Sequence, residues 1–394
     1  MSQPITHYFV AREALRNSVL WNEYAPYITL GTLGPDLFYL CNPLKTMGLD
    51  KLANKIHMFE ELDTKQKVYE NLADAIHGDQ SFQVFLNMMS GAASDINSDD
   101  ELVQRRAKKQ IAFAMGFYAH VITDCVIHPL VYRIADDHWL EHPEPGYSQH
   151  KTVEASLDYN LLEEASGNPS QEAQDFVRQC AEPDNEKLLD EAVCTSLMQA
   201  LRSCYPELLA SVQAFDRSEM DERHPLNQAY SDSQHIVRYL YEAGKILQKP
   251  WRLHIPYWSN KVESIGAELD SRTAPHITRG QHLAWRESGA SASLSRNGLE
   301  LIDLAVAGVR CLNQAVEEYL INPNEKPLTE IFAMASATQN IPYFQESFNL
   351  DTGLPSRINE EPDLKASGEN WYDYGIEELE AIYLALANCN EETC

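Results

Sequence analysis

From residue 6 onward, apolar side chains recur mostly three and four positions apart, the interval that lines one face of a helix. The pattern predicts a helix over Thr6–Leu20, with Val10, Leu15 and Val19 on or near one face and Thr6 as a cap. Further helices are predicted over Lys65–Ile76, Ser81–Met89, Lys151–Ala165, Asn185–Val212, Asn227–Leu247 and Gly298–Leu320, with a long central one over Glu101–His128. Gly31–Asp36 reads as a turn, and Glu141–Gln149, with two prolines and a glycine, as a loop. Runs of alternating β-branched residues bounded by hairpin turns are missing. The expected fold is therefore all-α: a multi-helix domain over 1–325, with its chemistry in 1–160 and additional helices behind, then a C-terminal appendage over 326–394. That appendage opens into a polar linker over Asp351–Asn370 and ends in a short acidic helix whose glutamates read as a solvated helix end.

The stretch Ile111–Tyr132 carries one acid and is long enough to span a membrane. A spanning helix would put His120, Asp124 and His128 at mid-depth, where ionisable groups are costly. A helix buried in a protein core is the expected arrangement, with no transmembrane segment. His128 precedes Pro129, which biases it away from helical backbone, so the helix is expected to end or kink there.

Composition narrows the function. Of 394 residues, 44% are hydrophobic, enough for a sizeable core, and the formal net charge is −28. Such a chain lacks the basic footprint that nucleic acid or a strongly anionic membrane requires. Eight cysteines without a C-x-x-C spacing fit a reduced compartment. Met1-Ser2-Gln3-Pro4 has neither the basic nor the apolar region of a secretory signal, so a cytoplasmic location is expected, or export into a host cell by a route that uses no signal peptide. No repeat, P-loop or dinucleotide fingerprint occurs. The sequence gives no guide to oligomeric state.

The chemistry concentrates in two clusters. His120, Asp124 and His128 are spaced four apart, and at about 100° per residue they share one helical face. His150 and Glu154 form a second pair with the same spacing. Three ionisable groups on an otherwise apolar face are destabilising unless something pairs them. Imidazole with carboxylate is the donor set of a zinc site, and two such helices face to face would hold more than one metal. Taken singly, His7 is an ordinary cap or surface residue and Asp36, after Gly34-Pro35, an ordinary turn residue. His57 competes with His77, and His150 with His142.

In order, His7, Gly34-Pro35-Asp36, His57, His120-x-x-x-Asp124-x-x-x-His128-Pro129 and His150-x-x-x-Glu154 resemble the zinc-dependent phospholipase C family, the bacterial phosphatidylcholine-hydrolysing enzymes with a trinuclear zinc site. The match covers residues 1 to about 160. The resemblance implies an all-α catalytic domain. It implies one zinc on Asp36, His57, His120 and a bridging Asp124, a second on His128, His150 and Glu154, and a third on His7, Asp124 and the N-terminal residue. Asp36 would also be the general base. Removal of Met1 would make the Ser2 amine the missing ligand, giving three zinc ions, or two where that ligand fails. Clustered zinc suits phosphodiester hydrolysis because it neutralises phosphoryl charge and lowers the pKa of water.

The activity expected from the resemblance is hydrolysis of glycerophospholipids, phosphatidylcholine or similar, to diacylglycerol and a phosphorylated headgroup, acting transiently at a membrane or micelle surface. The family's headgroup pattern departs here, with Leu37 after Asp36, although Phe38 and Tyr39 could supply an aromatic wall. Two alternatives remain. One is a single-strand-specific zinc nuclease of the same fold, which the long step from His128 to His150 would suit and Glu154 and the charge oppose. The other is a non-catalytic, metal-stabilised scaffold or effector.

Overall fold

The computed structural model describes residues 4–41, 60–135, 189–210, 298–321, 348–350, 354–355 and 381–387, together with scattered positions in 171–180 and 224–230. Among these the chain is helical, apart from connecting turns and one antiparallel pairing of Phe348–Asn349 (β1) with Leu354–Pro355 (β2). The fold is all-α.

The first predicted helix divides in two, α1 over Pro4–Leu15 and α2 over Val19–Gly31. Ser18 makes the break: its backbone is extended and its hydroxyl accepts the Trp21 N–H at 2.9 Å, an N-cap that starts a new helix. Periodicity missed most of α2 because Pro26 lies inside it. The chain accommodates the ring by leaving helical geometry at Tyr24 (φ −133°, ψ 22°) and resuming beyond. After a 3-10 turn over Gly34–Cys41 come α3 over Glu60–Gly78, α4 over Ser81–Ala93 and α5 over Glu101–Ala135. The predicted helix over Asn185–Val212 is shorter, and Pro206 splits it into α6 over Glu191–Cys204 and α7 over Pro206–Ala210. Asp190 caps α6 through the Ala192 N–H. The last long helix, α8, spans Gly298–Ile321. The readings over Glu141–Gln149 and Lys151–Ala165, and nearly all of Asn227–Leu247, lie outside the described residues.

Helix α5 is the axis of the molecule, and α1, α2, α4, α6 and α8 all pack on it. Its apolar stretch is long enough to cross a membrane by composition, and it is wholly buried inside the protein, its own Met115, Phe117 and Tyr118 included. The crossing with α2 is a backbone contact. A Cβ on Gly31 would lie 2.1 Å from the Phe113 carbonyl oxygen, and one on Gly116 would lie 2.0 Å from that of Ile28. Glycine at both positions lets the two helices approach closely enough to set the following turn against His120.

Of the end or kink expected at His128, the end is corrected: the helix runs on through Pro129 to Ala135. Pro129 has no N–H to donate to the Cys125 carbonyl and crowds that turn. Support comes from far along the chain. The Tyr383 hydroxyl, in helical residues 381–387, donates to the Val126 carbonyl at 3.0 Å in a buried bond. Leu386 sits against Gly308 of α8, and Leu350 is fully buried. Two points of the segment read as an appendage are thus seated in the core beside α5.

Candidate metal centre

His120, Asp124 and His128 occupy one face of α5, as their spacing predicts, and none is more than 2% exposed. Asp124 is bracketed on both carboxylate oxygens. Its Oδ1 lies 2.8 Å from His7 Nε2 and 3.5 Å from His128 Nε2, while its Oδ2 lies 2.9 Å from His120 Nε2. His7 reaches the site from α1, and its ring lies 4.0 Å from that of His120, centroid to centroid.

The 3-10 turn brings the second carboxylate. Gly34 has φ +46°, and a Cβ there would fall 2.7 Å from His120 Cγ, so the residue must be glycine on both conformational and steric grounds. The turn can therefore lie directly against the imidazole. Two residues on, Asp36 faces His77 of α3, with Oδ1 3.3 Å from Nε2. Donor atoms of Asp36, His77 and His120 lie within 4.8 Å of one another, as do those of His7, His120 and Asp124. His120 belongs to both groups and joins them into one centre.

Three of the imidazoles are held in the same way. Nδ1–H of His77 donates to the Ala73 carbonyl at 2.8 Å, that of His120 to the Thr32 carbonyl at 2.9 Å, and that of His128 to the Leu350 carbonyl. With Nδ1 fixed as donor, Nε2 carries the lone pair and points inward. This is the arrangement by which proteins orient metal-binding histidines.

The electrostatics fit a bound cation. Burial opposes ionisation of Asp124, but His128, His120 and His7 outweigh it and hold the carboxyl well below its usual range. Burial likewise opposes ionisation of Asp36, yet the neighbouring His77 and His120 hold it at about 2. Burial, reinforced by His120, pushes His7 down against the pull of Asp124. Both carboxylates thus favour the ionised form although they are buried.

Several polar atoms there find no hydrogen-bond partner among the described residues: His7 Nδ1, His120 Nε2 and Asp124 Oδ2 are all buried, and the last two are only 2.9 Å apart. Proximity without hydrogen-bond alignment is what ligands to a shared ion display; on a tetrahedral zinc with bonds of about 2.0 Å they lie roughly 3.3 Å apart. Buried polar atoms are rarely left unpaired. The residues present fit zinc.

Of the ligands the sequence suggested, His7, Asp36, His120, Asp124 and His128 come together here. Ser2, His57, His150 and Glu154 lie outside the described residues. His77, the competitor to His57, stands inside the centre. Its signal in the sequence was weak: a lone histidine near the end of an amphipathic helix, with Ala73 four residues earlier to accept from its ring.

Fold and site define the class: an all-α protein with a buried histidine–carboxylate centre for divalent metal. The comparison with known families agrees. The model of the zinc-dependent phospholipase C family matches residues 6–206, just over half of the chain. The protein belongs to that family, and the match supports a phospholipase C hydrolase function. No curated protein and no solved structure matches it.

Proposed function

We propose that this protein cleaves the glycerol–phosphate bond of glycerophospholipids, releasing diacylglycerol and a phosphorylated headgroup, with zinc as its cofactor. The observation that carries this reading is Asp124, with imidazoles at both of its oxygens and, around it, buried atoms that find no hydrogen-bond partner among the described residues. Asp36, His77 and His120 would hold metal on one side of the centre and His7 and His128 on the other, with Asp124 shared between them. His57, His150, Glu154 and the Ser2 amine are proposed as further ligands from the resemblance, with three ions expected and two at minimum.

Zinc held there supplies Lewis acidity to the phosphoryl oxygens and acidifies water. The protein's own residues supply position and charge. Asp36 and Asp124, held ionised beside their histidine neighbours, would supply the negative charge that retains bound cations. Asp36, held ionised beside His77 and His120, would serve as a ligand and, as the resemblance implies, as the general base. The carbonyls of Ala73, Thr32 and Leu350 fix the three imidazoles so that each Nε2 faces the centre.

The test is a product assay. Tag-free protein is given mixed phospholipid micelles, with and without a zinc chelator, and the lipids are read by mass spectrometry. Chelator-sensitive diacylglycerol is expected, and the depleted species names the headgroup. Zinc-containing protein that forms no diacylglycerol overturns the reading. Turnover of single-stranded nucleic acid would then make it a nuclease, and no turnover a scaffold.

A further inference from the structure

The orienting carbonyls of His77 and His120 come from Ala73 and Thr32, inside the region that matches the family. That of His128 does not. It comes from Leu350, 222 positions along the chain and well beyond residue 206. The same residue makes a second bond: its N–H donates to the His77 carbonyl at 2.6 Å. His77 lies in the last turn of α3, where carbonyls have no partner within the helix. A single buried residue therefore caps the helix that carries one proposed ligand and orients the side chain of another. Tyr383 adds a third attachment from the same part of the chain, at Val126, in the turn that Pro129 weakens and from which His128 projects.

We propose that Leu350 is a positioning residue of the metal centre, and that the C-terminal stretches carrying Leu350 and Tyr383 are thermodynamically linked to the metal: their docking tightens metal binding at His128, and metal binding tightens their docking. The inference rests on the reading of His128 and His77 as metal ligands. Its physical basis is direct. A histidine ring whose Nδ1–H is held by a carbonyl has its tautomer and orientation fixed, and loss of such a partner costs about 10- to 100-fold in metal affinity. Linkage is reciprocal, so the ion must stabilise the docked stretches by the same factor by which they stabilise the ion. The family-matching half of the chain thus depends on the other half to complete its metal centre.

Backbone groups call for backbone substitution in the full-length protein. Replacing the Leu350–Asp351 amide by an ester weakens the Leu350 carbonyl as an acceptor and leaves every side chain in place. Zinc affinity, measured by competition with a chromophoric chelator, is expected to fall on the order of 10-fold. The visible spectrum of the cobalt-loaded protein should shift, which a purely structural role for Leu350 would not produce. In the unsubstituted protein, amide exchange at 348–350 and 381–387 should slow when zinc is added to the apoprotein. Tyr383→Phe should keep the fold and reduce that protection. Unchanged zinc affinity and cobalt spectrum in the ester, together with zinc-independent exchange in the unsubstituted protein, overturn the linkage while leaving the metal centre intact. A wild-type protein that binds neither metal overturns the reading of the centre itself.

Discussion

His7 Nε2 lies 2.8 Å from Asp124 Oδ1, across 117 positions of sequence, in a buried contact. Asp124 presents its other oxygen to His120. A carboxylate that faces a different imidazole with each oxygen is placed to bridge two ions. Asp124→Ala is therefore expected to lose more than one equivalent of zinc by elemental analysis, whereas His128→Ala should lose about one. Activity should fall by at least about 100-fold, because loss even of an outer partner costs up to that much. Wild-type turnover in Asp124→Ala would end the bridging assignment.

His77 and His57 make a direct comparison. The structure sets His77 Nε2 3.3 Å from Asp36 and its ring 6.0 Å from that of His120. His77→Ala should then lose zinc and at least about 100-fold in activity. It should also free the Asp36 carboxyl from a neighbour that helps to keep it ionised. His57→Ala is the matching variant. Equal losses in the two would make both residues ligands; loss in His77→Ala alone would move the assignment from His57 to His77.

How far the site could be read from the sequence depends on the range of the contacts that build it. The stripe His120, Asp124, His128 lies within one helix, and four-residue spacing is enough to see it. The all-α class follows from the same local periodicity. His7 and Asp36 needed the family order, because their partners lie on other helices. His77 was no more than a competitor, since nothing near it in sequence points to Asp36. The role of Leu350 was invisible: it acts through its backbone, and any residue type has a carbonyl. The extension of α5 past Pro129 was missed for a similar reason, because the hydroxyl that supports the turn comes from Tyr383.

Gly34 gives a prediction about assembly rather than chemistry. Its φ is positive, and a Cβ at this position would approach His120 Cγ to 2.7 Å, so alanine meets strain and a clash together. Gly34→Ala is expected to cost about 1–3 kcal/mol from the backbone conformation alone, read by urea unfolding of the apoprotein. It should also displace the turn that carries Asp36. Zinc affinity should therefore fall even under conditions where the variant is fully folded. A variant with wild-type stability and affinity would show that the turn does not need to lie against the His120 ring.

The buried charges set the acid sensitivity of the metal-free protein. The pKa of His7 is lowered by burial from 6.5, so below that value the unfolded chain takes up a proton that the folded chain refuses. Stability should therefore fall as pH drops through 6.5, by the linkage between proton uptake and unfolding. Asp36 behaves as a depressed carboxylate: its contribution is present above 3.8 and lost as pH falls from there to about 2. Asp124, also held below its usual range by the surrounding histidines, follows the same sign. Thermal melting in chelator at pH 7.5, 5.5 and 3 should show a decline in two stages. Bound zinc should remove the first stage at millimolar metal, because a ligating His7 cannot take the proton while the ion is held. A metal-free protein equally stable at pH 7.5 and 5.5 would mean that His7 accepts a proton in place, and that Asp124 already serves it as a counter-ion without metal.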